Sequence, residues 1–486
     1  MWRLSFRVPG APHSLRRSAY VIGWAGLLLC LAVYAYWGVY LPLRAAGHGY
    51  DFTGPYEAAY ALVHHAPLQV YDVPQQRRFN DAVLHLPSGP SDFRWTPQTA
   101  ALLMPLGLLP YGVAHVLWFL LSQVALMASL VLLARCLAVA VAPEAVAGMR
   151  TGIPARLRSP RIAFAVLFCA AALCQPVTDS LRLGQSTPLL LLGFALLIYG
   201  EVFNRPVMAG VGLGLAILIK LFPAVLLVYY LWRGRYRLCG AACGFIIALT
   251  VLTLPLTGPH LYVDFVQAIT TYQDQTNAGP VNLSLYHALI VLASAIARPG
   301  RPEPAHGMVT MLASLICAAL FGVVLVAQGW PSVLRRYRRG SVVAGLSARA
   351  MVDAKKLQDG HAVAYSRVLA TAWVTCAALL VEPIDWIFYY LLLLVPLVAL
   401  LAQATWIDRK RFPSAWRIWL VELAAYLLAT VPLPLDSRVA PPMSALYVVS
   451  IALRPVALLA VWGVLPAMGL KCVALQEAPL MRDSGE

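Results

Sequence analysis

Long apolar segments recur through almost the whole of this sequence, and they restrict the solvent in which it can fold. The first, from Ala19 to Leu41, is long enough to cross a bilayer, and no small-residue cleavage site follows it. It reads as a retained helix. Of the 486 residues, 60% are hydrophobic and 12% charged, and mean hydropathy is +0.72. A soluble core of this length needs far less apolar surface, so the solvent is lipid. The chain reads as a single all-α polytopic integral membrane domain over residues 1–486.

The order of apolar and basic segments predicts about twelve spans. A basic tail, 1–18, carries Arg3, Arg7, Arg16 and Arg17 and is placed in the cytoplasm. The first span leads to an external loop, 42–96. The segment 96–110 is apolar but broken by Pro97, Pro105 and Pro110, which predicts an interfacial or re-entrant helix. A second span, 112–134, returns to a loop rich in arginine. Two short hairpins follow, 162–178 with 186–202 and 206–219 with 221–232. Their legs are only about 13–17 residues, against roughly 20 for a full span, so their tips lie below the outer surface. Polar residues at that depth face protein or a wet cavity. A span at 239–257 leads to a second external loop, 258–306, with a short interfacial piece at 286–297. Another span, 307–329, opens a basic cytoplasmic loop, 330–366. Four more are expected at 367–381, 386–404, 417–433 and 445–470, with the C-terminus inside.

The net charge of +16 does not imply a nucleic-acid partner. About 27 of the 37 Lys and Arg fall on one side of this topology, the positive-inside asymmetry. No surface that interleaves aromatic and basic residues accompanies them. The nine Cys lie in or beside apolar spans. Cys239 and Cys243 share a helical face with no His near in sequence, which suits packing better than metal binding.

Polar groups near the outer leaflet cluster in a few places. Asp51 and Glu57 lie in the first loop, Arg182 and Gln185 at one hairpin tip, and Lys220 at the other. The stretches "NLSLYH" (282–287) and "EPIDW" (382–386) follow, and Arg454 sits within the last apolar stretch. Bland readings exist. Asp51 caps a helix beginning near Tyr56 or pairs with Arg44; Lys220 snorkels to the interface; Asn282 opens a glycosylation triplet by pattern. His64 and His65 read as solvated loop residues. Against these stands the combination: one carboxylate just outside the membrane, with cations and amides at hairpin tips. A lipid phosphate needs such cations, and a carboxylate beside a phosphate leaving group suits a general base. The chemistry indicated is transfer of a group from a lipid-linked phosphate.

The motifs themselves carry a resemblance. "DFTGPYEAAYALVHHAPLQVYD" (51–72) gives Asp-Phe, an Ala-Ala pair and Tyr-Asp; "FRWTPQTAALLMPLGLLP" (93–110) gives an aromatic-x-Pro element before a Pro-containing helix. "LGQSTPLLLL" (183–192) places Gly-Gln at a tip. "AGVGLGLAILIKLFPAVLL" (209–227) runs from small residues to Lys-x-x-Pro and a basic turn, "RGRYR", and "NLSL" (282–285) lies in the second external loop. In this order and spacing the chain resembles glycosyltransferase family 87, a branch of the GT-C superfamily that includes polyprenyl-phosphate-mannose-dependent α-mannosyltransferases.

The resemblance implies a GT-C fold with short re-entrant hairpins and an outer-face cavity, in a bacterial inner or plasma membrane with the active site on the periplasmic or extracellular side. It implies a polyprenyl-phosphate-linked sugar donor and a glycolipid or polysaccharide acceptor; no cofactor or metal is expected, because the outer side carries no Asp-x-Asp motif or His cluster and cations alone can meet a monophosphate. Asp51 falls on the family's catalytic base, and Glu57 is the rival. Lys220, Arg182, Gln185 and Arg454 are assigned to the donor phosphate; Tyr56, Asn282, His287, Asp385 and Tyr389 to the acceptor and sugar pocket. Relatives often carry a His after a Trp in a late segment; here Phe388 stands in that place, with Asp385 and Tyr389 as substitutes. The expected reaction is an inverting single displacement. Two alternatives are a lipid-linked sugar transporter or flippase, and a non-catalytic scaffold of the same fold. No inverted repeat supports the former.

Overall fold

The computed structural model describes residues 13–44, 50–66, 69–86, 93–141, 156–276, 282–297, 311–323, 349–381, 387–407, 413–430 and 451–463, with 326 and 448–449. Among these the regular structure is helical, with no strand. Five helices are long and apolar enough to cross a membrane, a bent pair makes a sixth, and five shorter apolar helices accompany them. The all-α membrane class is met at this coarser grain.

The order is α1 (His13–Val33), continued through a π turn to Arg44; α2 (Tyr50–Val63); α3 (Val73–Phe79); α4 (Pro97–Gly107); and α5 (Tyr111–Ala140). Then come α6 (Pro160–Leu173), α7 (Gln175–Leu183), α8 (Thr187–Val202), α9 (Pro206–Ile219), α10 (Val225–Trp232), α11 (Tyr236–Thr257) and α12 (His260–Thr276). The rest are α13 (Leu285–Ala297), α14 (Met311–Val323), α15 (Arg349–Val381), α16 (Leu394–Trp406), α17 (Pro413–Thr430) and α18 (Ile451–Gly463).

Proline punctuates this chain. Pro97, Pro160, Pro176, Pro188 and Pro206 all occupy the first turn of a helix, where the missing N–H would have had no partner. Pro176 does more. It cannot donate to Ala172, and its ring crowds that carbonyl, so the leg expected to run straight over 162–178 breaks. Cys174 becomes extended (φ −83°, ψ 110°), and α7 turns 68° away from α6.

Two segments read as loops contain helix. The second external loop contains α12, and the basic loop expected to 366 is already helical from Arg349, running unbroken into the span as α15. Both were polar enough to pass for loops. Arg454 lies within α18 and is buried.

The main core gathers α5 to α9 against α15 to α18. Backbones of α8 and α9 approach closely at Gly193 and Gly212, where a Cβ on either would come within 2.6–2.8 Å of the other's carbonyl oxygen. A second core, around Phe52, Tyr56, Phe93, Trp95 and Trp118, fastens α2 to α4 and α5. Here the first-loop motif has structural work. Asp72 caps α3 by accepting from the Gln75 N–H at 3.0 Å, and the Tyr71 hydroxyl donates to the Trp95 carbonyl at 2.7 Å.

Candidate active site

Asp51 lies in the first turn of α2, where Phe52 beside it is fully buried under the aromatic core. Phe52 stacks on Trp118, with ring centroids 5.4 Å apart, and also meets Tyr56, Tyr111 and His115. The Asp-Phe pair thus divides the labour. Phe52 anchors the helix, and Asp51 sits at its edge.

The end of α7 faces it. Gly184 takes a left-handed conformation (φ +74°), its N–H bonds the Leu181 carbonyl, and the Gln185 N–H bonds the Ser180 carbonyl at 2.9 Å. These two bonds are a Schellman cap. The Gly184 carbonyl accepts from the Trp118 indole at 2.8 Å. A Cβ on Gly184 would lie 2.9 Å from Phe52 Cβ, so the tip closes on α2 only because residue 184 has none. The cap delivers Gln185, whose side chain donates to the Asp51 carboxylate.

The third part is the end of α9. Lys220 leaves the helix extended (φ −144°, ψ 140°), with Pro223 soon after to prevent its continuing. The carbonyl of Leu218, left without a helical partner, accepts from the Thr96 and Thr99 hydroxyls at 2.8 and 3.1 Å. The Trp-Thr-Pro motif is therefore a clamp on the helix that presents Lys220. The Lys220 ammonium lies 5.4 Å from the Tyr389 ring centroid and close enough to Asp51 to act on its charge. Burial raises the Asp51 pKa, the Gln185 hydrogen bond and the Lys220 charge lower it, and the balance is about 6.

Asp51, Gln185, Lys220 and Tyr389 are thus brought together from residues far apart in sequence. The other expected residues are placed differently. Glu57, on α2, is 1% exposed with neither oxygen hydrogen-bonded, and burial pushes its pKa up to about 8. Tyr56 is buried and donates to the Leu109 carbonyl at 2.7 Å, tying α2 to the end of α4. Asn282 accepts from the Ser284 N–H and Ser284 from the His287 N–H, both at 3.0 Å, so these buried residues open α13. Phe388 is buried against Tyr389. Asp385 lies outside the described residues.

Arg182 is half-exposed and pairs with Asp179 at 3.4 Å. Arg454, expected among the phosphate ligands, is 6% exposed and donates to the Ala429 carbonyl and to Gln175. Sequence reasoning passed over His115, a buried residue on α5 against Phe52 and Gly184. A lone His in an apolar run carries no signal until the fold shows what it touches. Among the described residues no group of His, Cys, Asp and Glu has the arrangement of a metal site.

The chain is thus of the helical membrane-protein class, and its fold brings a carboxylate, an amide and an ammonium together. The sequence model of glycosyltransferase family 87 matches residues 93–354, more than half of the chain, and the chain belongs to that family. It is also 30% identical over 205 residues to a polyprenol-phosphate-mannose-dependent α-(1-2)-phosphatidylinositol mannoside mannosyltransferase of Mycobacterium tuberculosis. That match spans 36% of this chain and 45% of the relative. No solved structure matches. Asp51 and Arg454 both lie outside the family-matched segment, whereas Gln185 and Lys220 lie within it.

Proposed function

We propose that this protein transfers a hexose, with mannose the first candidate, from a polyprenyl-phosphate donor to a hydroxyl of a glycolipid or polysaccharide acceptor. The reading includes a GT-C fold of about twelve spans with cytoplasmic termini and the site at the outer face. The observation that carries it is the convergence of Asp51, Gln185 and Lys220, supported by the family and by the donor named for the mycobacterial relative.

The donor's lipid tail lies among the helices, and its phosphate meets Lys220, with Arg182 adding positive charge from the end of α7. Tyr389 holds the ammonium on its ring face. The acceptor oxygen attacks the anomeric carbon opposite the phosphate. The bond from that carbon to the phosphate oxygen breaks, the polyprenyl phosphate leaves with the electron pair, and the acceptor proton passes to Asp51. The product is inverted. Single displacement needs one base, and Asp51 suits it better than Glu57, whose carboxyl is sealed from substrate.

The test uses membranes containing wild type or Asp51→Asn at equal protein level, with radiolabelled polyprenyl-phosphate mannose and a lipid extract as acceptor. Wild type should move label from the donor and the variant should lose at least a hundredfold of that rate, the usual scale for a general base. Equal transfer by both removes Asp51 from the mechanism. Movement of intact donor across the membrane, without loss of its sugar, would mark a transporter.

A further inference from the structure

The reading above leaves a buried cation unused. Arg454 sits in α18, nearly sealed from solvent, yet its guanidinium joins two other elements. Nη1 donates to the carbonyl of Ala429 at 3.0 Å, in the last turn of α17, where the helix dipole favours positive charge. Nη2 donates to Gln175 Oε1 at 2.8 Å, at the start of α7.

The connection does not stop there. Gln175 Nε2 donates to Asp179 Oδ2 at 3.1 Å, and Asp179 Oδ1 pairs with Arg182 at 3.4 Å. Gln175, Asp179 and Arg182 stand at i, i+4 and i+7, on one face of α7. A row of groups therefore runs from α18 along the whole broken half-helix to its last turn. Two residues further on is Gly184, and then Gln185, the Asp51 partner. Arg182 alone of the row is half-exposed.

A charge buried in a membrane bundle is costly unless it is paired, and the residues bearing it are rarely neutral passengers. Here the pairing adds a polar tie on one face of a helix whose other face, with Val177 and Leu181, packs into the main core. The half-helix α7 has broken from α6 by 68° and is only nine residues long. Its tip supplies one of the three parts of the candidate site.

We infer that Arg454 is a positioning residue, which through Gln175 and Asp179 holds α7 so that Arg182 meets the donor phosphate and Gln185 stays on Asp51. This extends the machinery to a C-terminal helix outside the family-matched segment, and it rests on the donor reading above. Arg454 itself touches no substrate. Its loss acts through Arg182, so the two should not contribute independently.

The experiment measures binding of polyprenyl monophosphate to the purified full-length protein in detergent, with the phosphate-free polyprenol as control. The proteins are wild type, Arg182→Met, Arg454→Met, the double variant, Arg454→Lys and Gln175→Leu. Arg182→Met and Arg454→Met should each weaken phosphate binding roughly tenfold, the scale of one charged hydrogen bond. The double variant should be no weaker than either single one, and polyprenol binding should not change. Arg454→Lys keeps the charge but puts one nitrogen where the guanidinium has two to reach Ala429 and Gln175, and should recover part of the loss. Should Arg454→Met not fold, Gln175→Leu interrupts the same row with a neutral residue and should give the same weakening. Unchanged affinity in these variants, or losses that add in the double variant, overturns the proposal. A thermal midpoint that falls while affinity holds also overturns it, because that is a structural role alone. Wild type that fails to bind the phosphate refutes the donor reading itself, a result distinguishable from wild type that binds and variants that bind equally.

Discussion

Asp51 and Glu57 lie on one short helix and differ in everything that matters for chemistry. Asp51 is partly open, hydrogen-bonded and close to a cation, while Glu57 is sealed among apolar groups. With its pKa near 6, Asp51 is ionised at neutral pH yet is a stronger base than an ordinary carboxylate. Transfer should therefore rise with pH by a slope of about one below pH 6 and level off above it. Lys220→Met removes a charge that lowers this pKa, so the limb should move to higher pH in a kcat/KM profile. A profile flat between pH 5 and 7 would rule out Asp51 as the titrating base. Glu57 makes a prediction about stability instead. Its pKa is raised from 4.5 to about 8 on folding, so the folded state holds a proton that the unfolded state has released. The stability this gives is complete below pH 4.5 and is lost as pH rises toward 8. Glu57→Gln should therefore unfold at nearly the wild-type temperature in acid and at a higher one above pH 8. Thermal melts in detergent across that range test the sign. The sequence offered both carboxylates as rivals because burial, which separates them, is a tertiary property.

At the scale of elements, the tip of α7 is the most constrained joint. Gly184 combines a positive φ with a close contact to Phe52, and each condition alone excludes most side chains. Gly184→Ala should cost about 1–3 kcal/mol of stability through backbone strain. Its effect on transfer should exceed what that loss explains, because Gln185 is displaced with it. Gly184→Asn relieves the strain of the left-handed backbone but keeps a Cβ, so it should be no more active than Ala. Recovery by Asn, in a transfer assay at matched protein, would mean that the contact with Phe52 is unimportant. This joint was legible as a Gly-Gln pair at a tip; the helix starts that proline marks were not read as such. The break at Cys174 was not legible. Composition showed Pro176 but could not say whether the helix would bend or stop. Nor were α12 and the early part of α15 legible, since a polar helix and a polar loop have similar composition until their packing is known.

For the whole molecule, the two ends of α8 carry a prediction about the side on which the site lies. This helix has 16 residues and rises about 24 Å, less than the roughly 30 Å of a hydrocarbon core. The proposed topology predicts that its two ends approach opposite faces and that one of them stays recessed. Arg182 lies near the end that meets Asp51. Arg205 lies at the other, where Arg235 pairs with Glu201 and Arg367 donates to the Glu201 carbonyl. The positive-inside asymmetry predicts that the basic end is cytoplasmic, and the candidate site lies at the other end of α8. Single cysteines at these positions test the arrangement, in a Cys243→Ala background because Cys243 is exposed. An impermeant thiol reagent added outside intact cells should modify Arg182→Cys and spare Arg205→Cys until the membrane is opened. The proposed topology also predicts that Arg182→Cys reacts more slowly than a cysteine placed between residues 69 and 86, because it puts the tip below the outer surface. The reverse pattern would put the site at the cytoplasmic face. Modification of both from outside would mean that α8 does not cross.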